Sequence, residues 1–515
     1  MLVPRHDSGT GAEKTGSFLN NTYADLLLQS NYLDAGVRLE FLEYPLPGFE
    51  KDFEGWGVPH FWMKGKFGKV ELTAGTFYEQ FGSGFILRTY EERSLGIDNS
   101  LLGGRVVVKP FTGLTLKALT GVQRRYWNWN KSLISGTDAE IGLEEFIPSL
   151  KKHDVGIVLG GSWVNKYEKS DEKIYASPVY RYRFPKFVNA WDARMGFNKG
   201  AWNVLAEYAQ KSADPSFANQ YIYRKGSAVM LSGSYSEKGL SVLLQAKRSE
   251  NMSFKSTSEV AKAIGISSAI NHLPAFTQGQ TYALAALYPY ATQLAEGEWA
   301  YQAEVGYNFR KKTLLGGKYG MNVKANFSYV RAIDRLFYDK DDLVQKTNGY
   351  TSKFFNWRDE TYYRSFDFTL TRKLSKAFKL SLMYVNQQYN KTVVEGHGGT
   401  VHTNIYIADG KYQFSPKVTL RGELQYLTTK QDQGDWAFGL LEFSLAPHWM
   451  FTVSDMWNCG ETDLHYYQGL VTYNIGQHRI QGGYGRTRAG YNCSGGVCRY
   501  VPASTGWALS YNYNF

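Results

Sequence analysis

No run of apolar residues in this chain approaches the roughly 18 that a helix needs to cross a membrane. The longest, around Tyr282 to Ala291, is broken by Pro289. A helical membrane protein is thereby excluded. Cysteine is nearly missing, with three in 515 residues, so this is not a small disulfide scaffold. No motif recurs at a fixed period and no linker rich in Pro, Gly and Ser divides the chain. A propeller or an array of soluble sandwiches requires one or the other.

Several chemistries lack their signatures. His60, His153, His272, His397, His402, His448, His465 and His478 are scattered, without a Ser/His/acid or zinc-binding spacing. The reading is not an enzyme, and no metal or cofactor is expected. The glycines near residue 82 are not followed by Gly-Lys-Ser/Thr, which rules out a phosphate loop. No nucleic-acid-binding motif accompanies the basic charge, so nucleic acid is set aside. The opening Met1-Leu2-Val3-Pro4-Arg5-His6-Asp7 has neither the basic start nor the apolar core of an export signal.

What is present is aromatic without being greasy. There are 52 Gly, 38 Tyr, 30 Phe and 13 Trp, yet the mean hydropathy is −0.39. A transmembrane β-barrel combines these properties, because lumen-facing residues dilute the lipid-facing ones. The chain closes on Thr505-Gly506-Trp507-Ala508-Leu509-Ser510-Tyr511-Asn512-Tyr513-Asn514-Phe515. Side chains in a strand alternate between faces, so Trp507, Leu509, Tyr511, Tyr513 and Phe515 share one. A final aromatic strand of this kind is what the outer-membrane barrel-assembly machinery reads, and it predicts the outer membrane of a Gram-negative bacterium. Lipid and lipopolysaccharide are then expected surroundings.

The same alternation recurs upstream. Tyr301, Ala303, Val305, Tyr307 and Phe309 oppose Gln302, Glu304 and Asn308; Met321, Val323, Ala325, Phe327 and Tyr329 oppose Asn322, Lys324, Asn326 and Ser328. Val418, Leu420, Leu424 and Tyr426 oppose Thr419, Arg421, Glu423 and Gln425. Short turns at 197–201, 236–238, 374–376 and 446–447 alternate with longer connections such as 333–360 and 391–398. The expectation is an all-β, large antiparallel barrel of about 22–24 strands with long outer loops and short periplasmic turns. The tally is odd and starts on a descending strand near Asn20, which suggests a truncated N-terminus. Residues 1–19 are expected to be irregular or truncated and 20–515 to form one barrel domain.

Three regions carry candidate chemistry. Segment 79–103 loses the alternation and concentrates Arg88, Glu91, Glu92, Arg93 and Asp98, with Arg105 just beyond. It is read as an inward constriction or plug, against the alternative of a solvated loop. Arg124, Arg125, Tyr126, Trp127 and Trp129 sit in a predicted outer loop, where flat rings and guanidinium groups suit a glycan or lipopolysaccharide. An interfacial girdle is the competing explanation. Cys493 and Cys498 flank a short glycine-containing loop and are a candidate disulfide, against two free thiols. A formal charge of +11 fits an anion-preferring lumen or contact with lipid phosphates.

Phe77-Tyr78-Glu79-Gln80-Phe81-Gly82-Ser83-Gly84, Tyr90-Glu91-Glu92-Arg93-Ser94-Leu95-Gly96-Ile97-Asp98-Asn99 and Cys493-Ser494-Gly495-Gly496-Val497-Cys498-Arg499 with Val501-Pro502-Ala503 together resemble a family of functionally uncharacterised outer-membrane proteins of Bacteroidota. The resemblance spans nearly the whole chain. It implies location and barrel fold, with no substrate or catalytic residues. The leading expectation is a porin-like channel for small polar or anionic solutes. The second is an occluded scaffold that binds glycan, lipid or an envelope protein. No TonB-dependent plug domain is evident, because strands begin near residue 20. The placement of 79–103 and 251–297 decides between the two expectations.

Overall fold

A computed structural model describes residues 18–170, 173–175, 177–258, 268–291, 294, 296–338, 347–494 and 497–515. Of the N-terminal segment 1–19, residues 1–17 lie outside the described residues. One 23-stranded antiparallel sheet forms the wall. It is a meander from Asn20–Gln29 to Ser504–Tyr513, each wall strand pairing with the next along the chain. Among the described residues no helix is long and apolar enough to span a membrane.

The two faces of the wall differ as the alternation requires. On the strand Glu298–Phe309, Val305 and Tyr307 are exposed while Gln302 is buried. On the strand Leu33–Tyr44, Val37, Leu39 and Phe41 are exposed and Asp34, Arg38, Glu40 and Leu42 are buried. Trp507, Leu509, Tyr511, Tyr513 and Phe515 are all exposed. The outer face is therefore a continuous apolar band and the inner face is polar, the reverse of a water-soluble β fold.

Connections at the two ends differ in length. One end carries turns such as 200–201, 238–239, 374–377 and 446–448, joining strands that end at Lys199, Glu237, Lys373 and Leu445. The other end carries 78–100, 251–297 and 334–356, between strands ending at Phe77, Glu250 and Ile333 and their successors. Arg124 to Lys131 departs from expectation. Strands Leu114–Arg125 and Asn128–Gly142 leave only Tyr126 and Trp127 between them, with Tyr126 at a φ of 54°. It is a tight hairpin, not a long loop.

The first and last wall strands both run away from the long-connection end. Contacts at that end draw the two margins of the wall together. Arg499, on the hairpin between the last two wall strands, lies 3.6 Å from Glu50 and over the Phe49 ring at 5.5 Å. Glu50 and Phe49 belong to the connection after the strand Leu33–Tyr44. The sheet thus curls round as a barrel.

Candidate functional site

Two long connections turn into the barrel. The first, 78–100, has lost strand alternation, and its apolar residues Phe81, Phe85, Ile86, Leu87 and Leu95 are buried. The second, within 251–297, buries Phe254, Ile270, Leu273, Phe276, Leu284 and Tyr288. Both join one apolar core with inward residues of the wall. An open lumen would leave those residues in water. Packing them together removes that apolar area at about 25 cal/mol per Å².

Backbone bonds lock the segments to each other. Arg88 N donates to Ile270 O at 2.8 Å, and His272 N to Gly84 O at 3.0 Å. Asn271, buried, donates through Nδ2 to Phe85 O at 2.8 Å and to Met252 O at 2.7 Å, while its Oδ1 accepts from Phe254 N at 3.1 Å. Gly84 has a φ of 92°, and a Cβ there would lie 2.8 Å from His272 O. Glycine is required both for the backbone conformation and for this approach.

The two segments are bonded to the wall at several points. Glu91 accepts from Arg38 at 2.6 Å, and Arg93 meets Asp25 at 2.9 Å. Ser83 N donates to Glu207 at 3.0 Å, and Ser258 N to Glu168 at 2.9 Å. On the far side Gln387 donates to Ala285 O at 3.0 Å, Leu284 N to Gln425 at 2.8 Å and the Tyr288 hydroxyl to Asp432 at 2.8 Å. Phe438, Met456 and Tyr466 extend the packing onto the wall strands that follow. Beneath the remaining gap the hairpin after Thr487 closes in, with Arg499 bonded to Leu95 O.

The inward wall residues are buried in the half of the barrel nearest the long connections. Along the strand Met321–Ile333, inward Ser328, Val330 and Ala332 are buried, whereas Asn322 and Lys324 toward the short turns are partly exposed. In that half several inward cations have acids. Lys66 pairs with Asp34 at 2.7 Å, Arg194 with Asp138 at 2.5 Å, Lys324 with Glu304 at 2.7 Å and Arg421 with Asp409 at 3.1 Å.

The predicted constriction residues are brought together in part. Arg38, Glu91, Arg93 and Asp25 form one ionic network, and Glu92 caps the following turn through Ser94. Asp98 belongs to a deeper cluster with Arg124 at 2.5 Å, where Arg124 also meets Glu40 at 2.7 Å. Burial pushes the Asp98 carboxyl up, but Arg124 and the Ser100 N–H outweigh it and hold it below 3.8. Arg88 stands apart, over the Tyr90 ring at 4.8 Å. Burial raises the Tyr90 hydroxyl to about 12, against the opposing charge of Arg88. Arg105 lies at the base of the plug on Glu79, at 2.5 Å, with Lys117 on the same carboxylate at 3.0 Å.

The predicted surface-ligand group does not form a surface. Arg124 is 1 % exposed and wholly committed to Glu40, Asp98 and the Tyr126 carbonyl. Tyr126 is buried against Phe53 at 4.7 Å, and Trp127 donates to the Phe53 carbonyl at 3.0 Å. Arg125 is 4.0 Å from Asp52 and over the Tyr126 ring, and Trp129 pairs opposite Arg124 in the ladder. A tight hairpin tucks Tyr126 and Trp127 against Phe53 of the neighbouring connection, so these two rings are structural.

Cys498 is disulfide-bonded, Cys459 is a free thiol, and the backbone ladder sets Cys493 opposite Cys498. Residues that sequence reasoning missed include Arg38, Glu40, Asn271, Gln387 and Gln425. Arg38 and Glu40 alternate with Val37, Leu39 and Phe41, so their inward direction was readable as buried charge in need of a partner.

A family model described as "Family of unknown function (DUF6029)" matches residues 1–515. No curated protein matches the chain. Among solved structures, the P pilus usher (PapC) translocation pore is 10% identical, covering 96% of this chain and 94% of that one, with a TM-score of 0.46. The siderophore receptor PirA from Pseudomonas aeruginosa is 9% identical, covering 94% and 79%, with a TM-score of 0.38. OccAB4 of Acinetobacter baumannii is 10% identical, covering 88% and 95%, with a TM-score of 0.33.

Proposed function

The chain belongs to DUF6029, a family of unknown function, and from that premise we propose that it is a non-enzymatic outer-membrane barrel with an occluded lumen, acting as a binding or assembly scaffold. The observation that carries this reading is the backbone junction between 84–88 and 270–272, set inside a plug bonded to the wall from Arg38 to Gln425. A band of exposed Val, Leu and aromatic side chains on the outer face supports a lipid setting, since water would penalise so large an apolar surface. Placement among Bacteroidota rests on the motif resemblance alone.

A channel for small polar or anionic solutes is the second reading. The part-exposed, polar half near the short turns favours it, and passage then requires the plug to shift. For assembly, the terminal strand ending at Phe515 is the element offered to the barrel-assembly machinery.

Liposome swelling tests the reading. Vesicles carrying the refolded protein are expected to exclude small sugars and amino acids as empty vesicles do. Rapid solute entry through the intact protein would overturn occlusion and favour the channel.

A further inference from the structure

On the outer surface of the wall, the strands Trp202–Lys211, Gly226–Glu237 and Leu240–Glu250 change character along their length. Outward Leu231 and Leu244 are more than half exposed. Further along the same faces, toward the long connections, come Tyr208, Ser227, Arg248 and Glu250. Glu250 lies six positions from Leu244, roughly 20 Å at about 3.4 Å per residue. Over that distance the wall passes from exposed apolar side chains to Arg248 and Glu250, which are buried, Arg248 against Ser352 and Phe354 of the connection 334–356.

At this level the wall carries a polar cavity of about 450 Å³. Tyr208, Tyr223, Tyr338 and Tyr350 line it with Arg224 and Lys225. Its charges do not balance. Arg224 and Arg248 share one carboxylate, Glu250, at 2.5 Å and 2.8 Å. The guanidinium groups of Arg224 and Arg335 both lie over the Tyr350 ring, at 4.6 Å and 5.6 Å. Lys225 is exposed, and among the described residues neither it nor Arg335 has an acidic partner. Arg224, Lys225, Arg248 and Arg335 thus gather about one carboxylate among the described residues.

Holding these cations together costs repulsion that an anion would relieve. Guanidinium and ammonium groups suit a phosphate, and tyrosines offer rings and hydroxyls to a sugar. We propose that this outward pocket binds the phosphorylated saccharide headgroup of an outer-leaflet glycolipid. The inference rests on the outer-membrane reading and assigns it a lipid contact site, on the wall and away from the hairpin of Arg124.

The test uses full-length protein in phosphatidylcholine vesicles doped with diphosphoryl lipid A. Insertion is established first, by protease protection and by a heat-modifiable band. Retention of lipid A is then measured by mass spectrometry after extraction in mild detergent. Lys225→Gln with Arg335→Gln removes two unpaired charges without orphaning an acid. Retention is expected to fall roughly tenfold or more in this variant, and equally for wild type offered the dephosphorylated lipid. Equal retention of both lipids by inserted wild type, or no loss in the variant, overturns the pocket and leaves the barrel standing. Release of lipid A by millimolar inorganic phosphate overturns the lipid-borne ligand in favour of a free anion. Failure to insert overturns the outer-membrane reading itself.

Discussion

The backbone N–H of Arg88 donates to the carbonyl of Ile270 at 2.8 Å, joining two connections that arise on different sides of the barrel. Each segment alone exposes apolar side chains to a wet lumen. Joined, they share one apolar core with inward residues of the wall.

Asn271 is the polar keystone of that junction, because its amide serves backbone groups of both segments. Asn271→Ala leaves those groups buried without partners and is expected to destabilise the plug by about 2–4 kcal/mol. Hydrogen exchange at 84–88 and 270–272 should rise by a large factor while exchange in the wall ladders stays unchanged.

Arg124 sits between Glu40 and Asp98 with almost no solvent access. Arg124→Met strands two buried carboxylates, an expected cost of about 3–5 kcal/mol. The triple variant with Glu40→Gln and Asp98→Asn should recover most of that loss in a thermal-unfolding series. A surface ligand role would instead leave stability unmoved.

Acid should release the same region. Asp98 is held below its ordinary value of 3.8, so its contribution is fully present above the unfolded value and is lost as pH falls through the lowered folded one. Protease access to 91–98 is expected to rise as pH falls below the ordinary value of 3.8. In Asp98→Asn that step should disappear.

Much of the wall was legible. Val305 and Tyr307 against Gln302, and Trp507 through Phe515, lie on the faces that alternation assigns, because burial on one side forces a period of two. The irregular character of 78–100 was also readable, from the loss of that period beside clustered charge. The partner segment 251–297 was not, since an irregular insert carries no period from which its direction follows. Arg124 was misplaced for a related reason. An arginine beside tryptophans reads alike at a glycan site and beside a buried acid, and the acids, Glu40 and Asp98, lie far away in sequence.

Phe515 is 82 % exposed beyond the last paired residues, available to another protein without disturbing the wall. Phe515→Ala is expected to lower the heat-modifiable, membrane-assembled fraction several-fold in cells. Protein refolded in detergent should keep its thermal stability. Equal loss in both settings would place the residue in folding instead of recognition.

Single-channel conductance in a planar bilayer, comparing the refolded intact protein with a variant lacking 82–99, tests occlusion most directly. The plugged arrangement predicts silence from the intact protein and steady conductance from the variant, which loses the Gly84 and Arg88 junctions with 270–272. Steady conductance from the intact protein would contradict it.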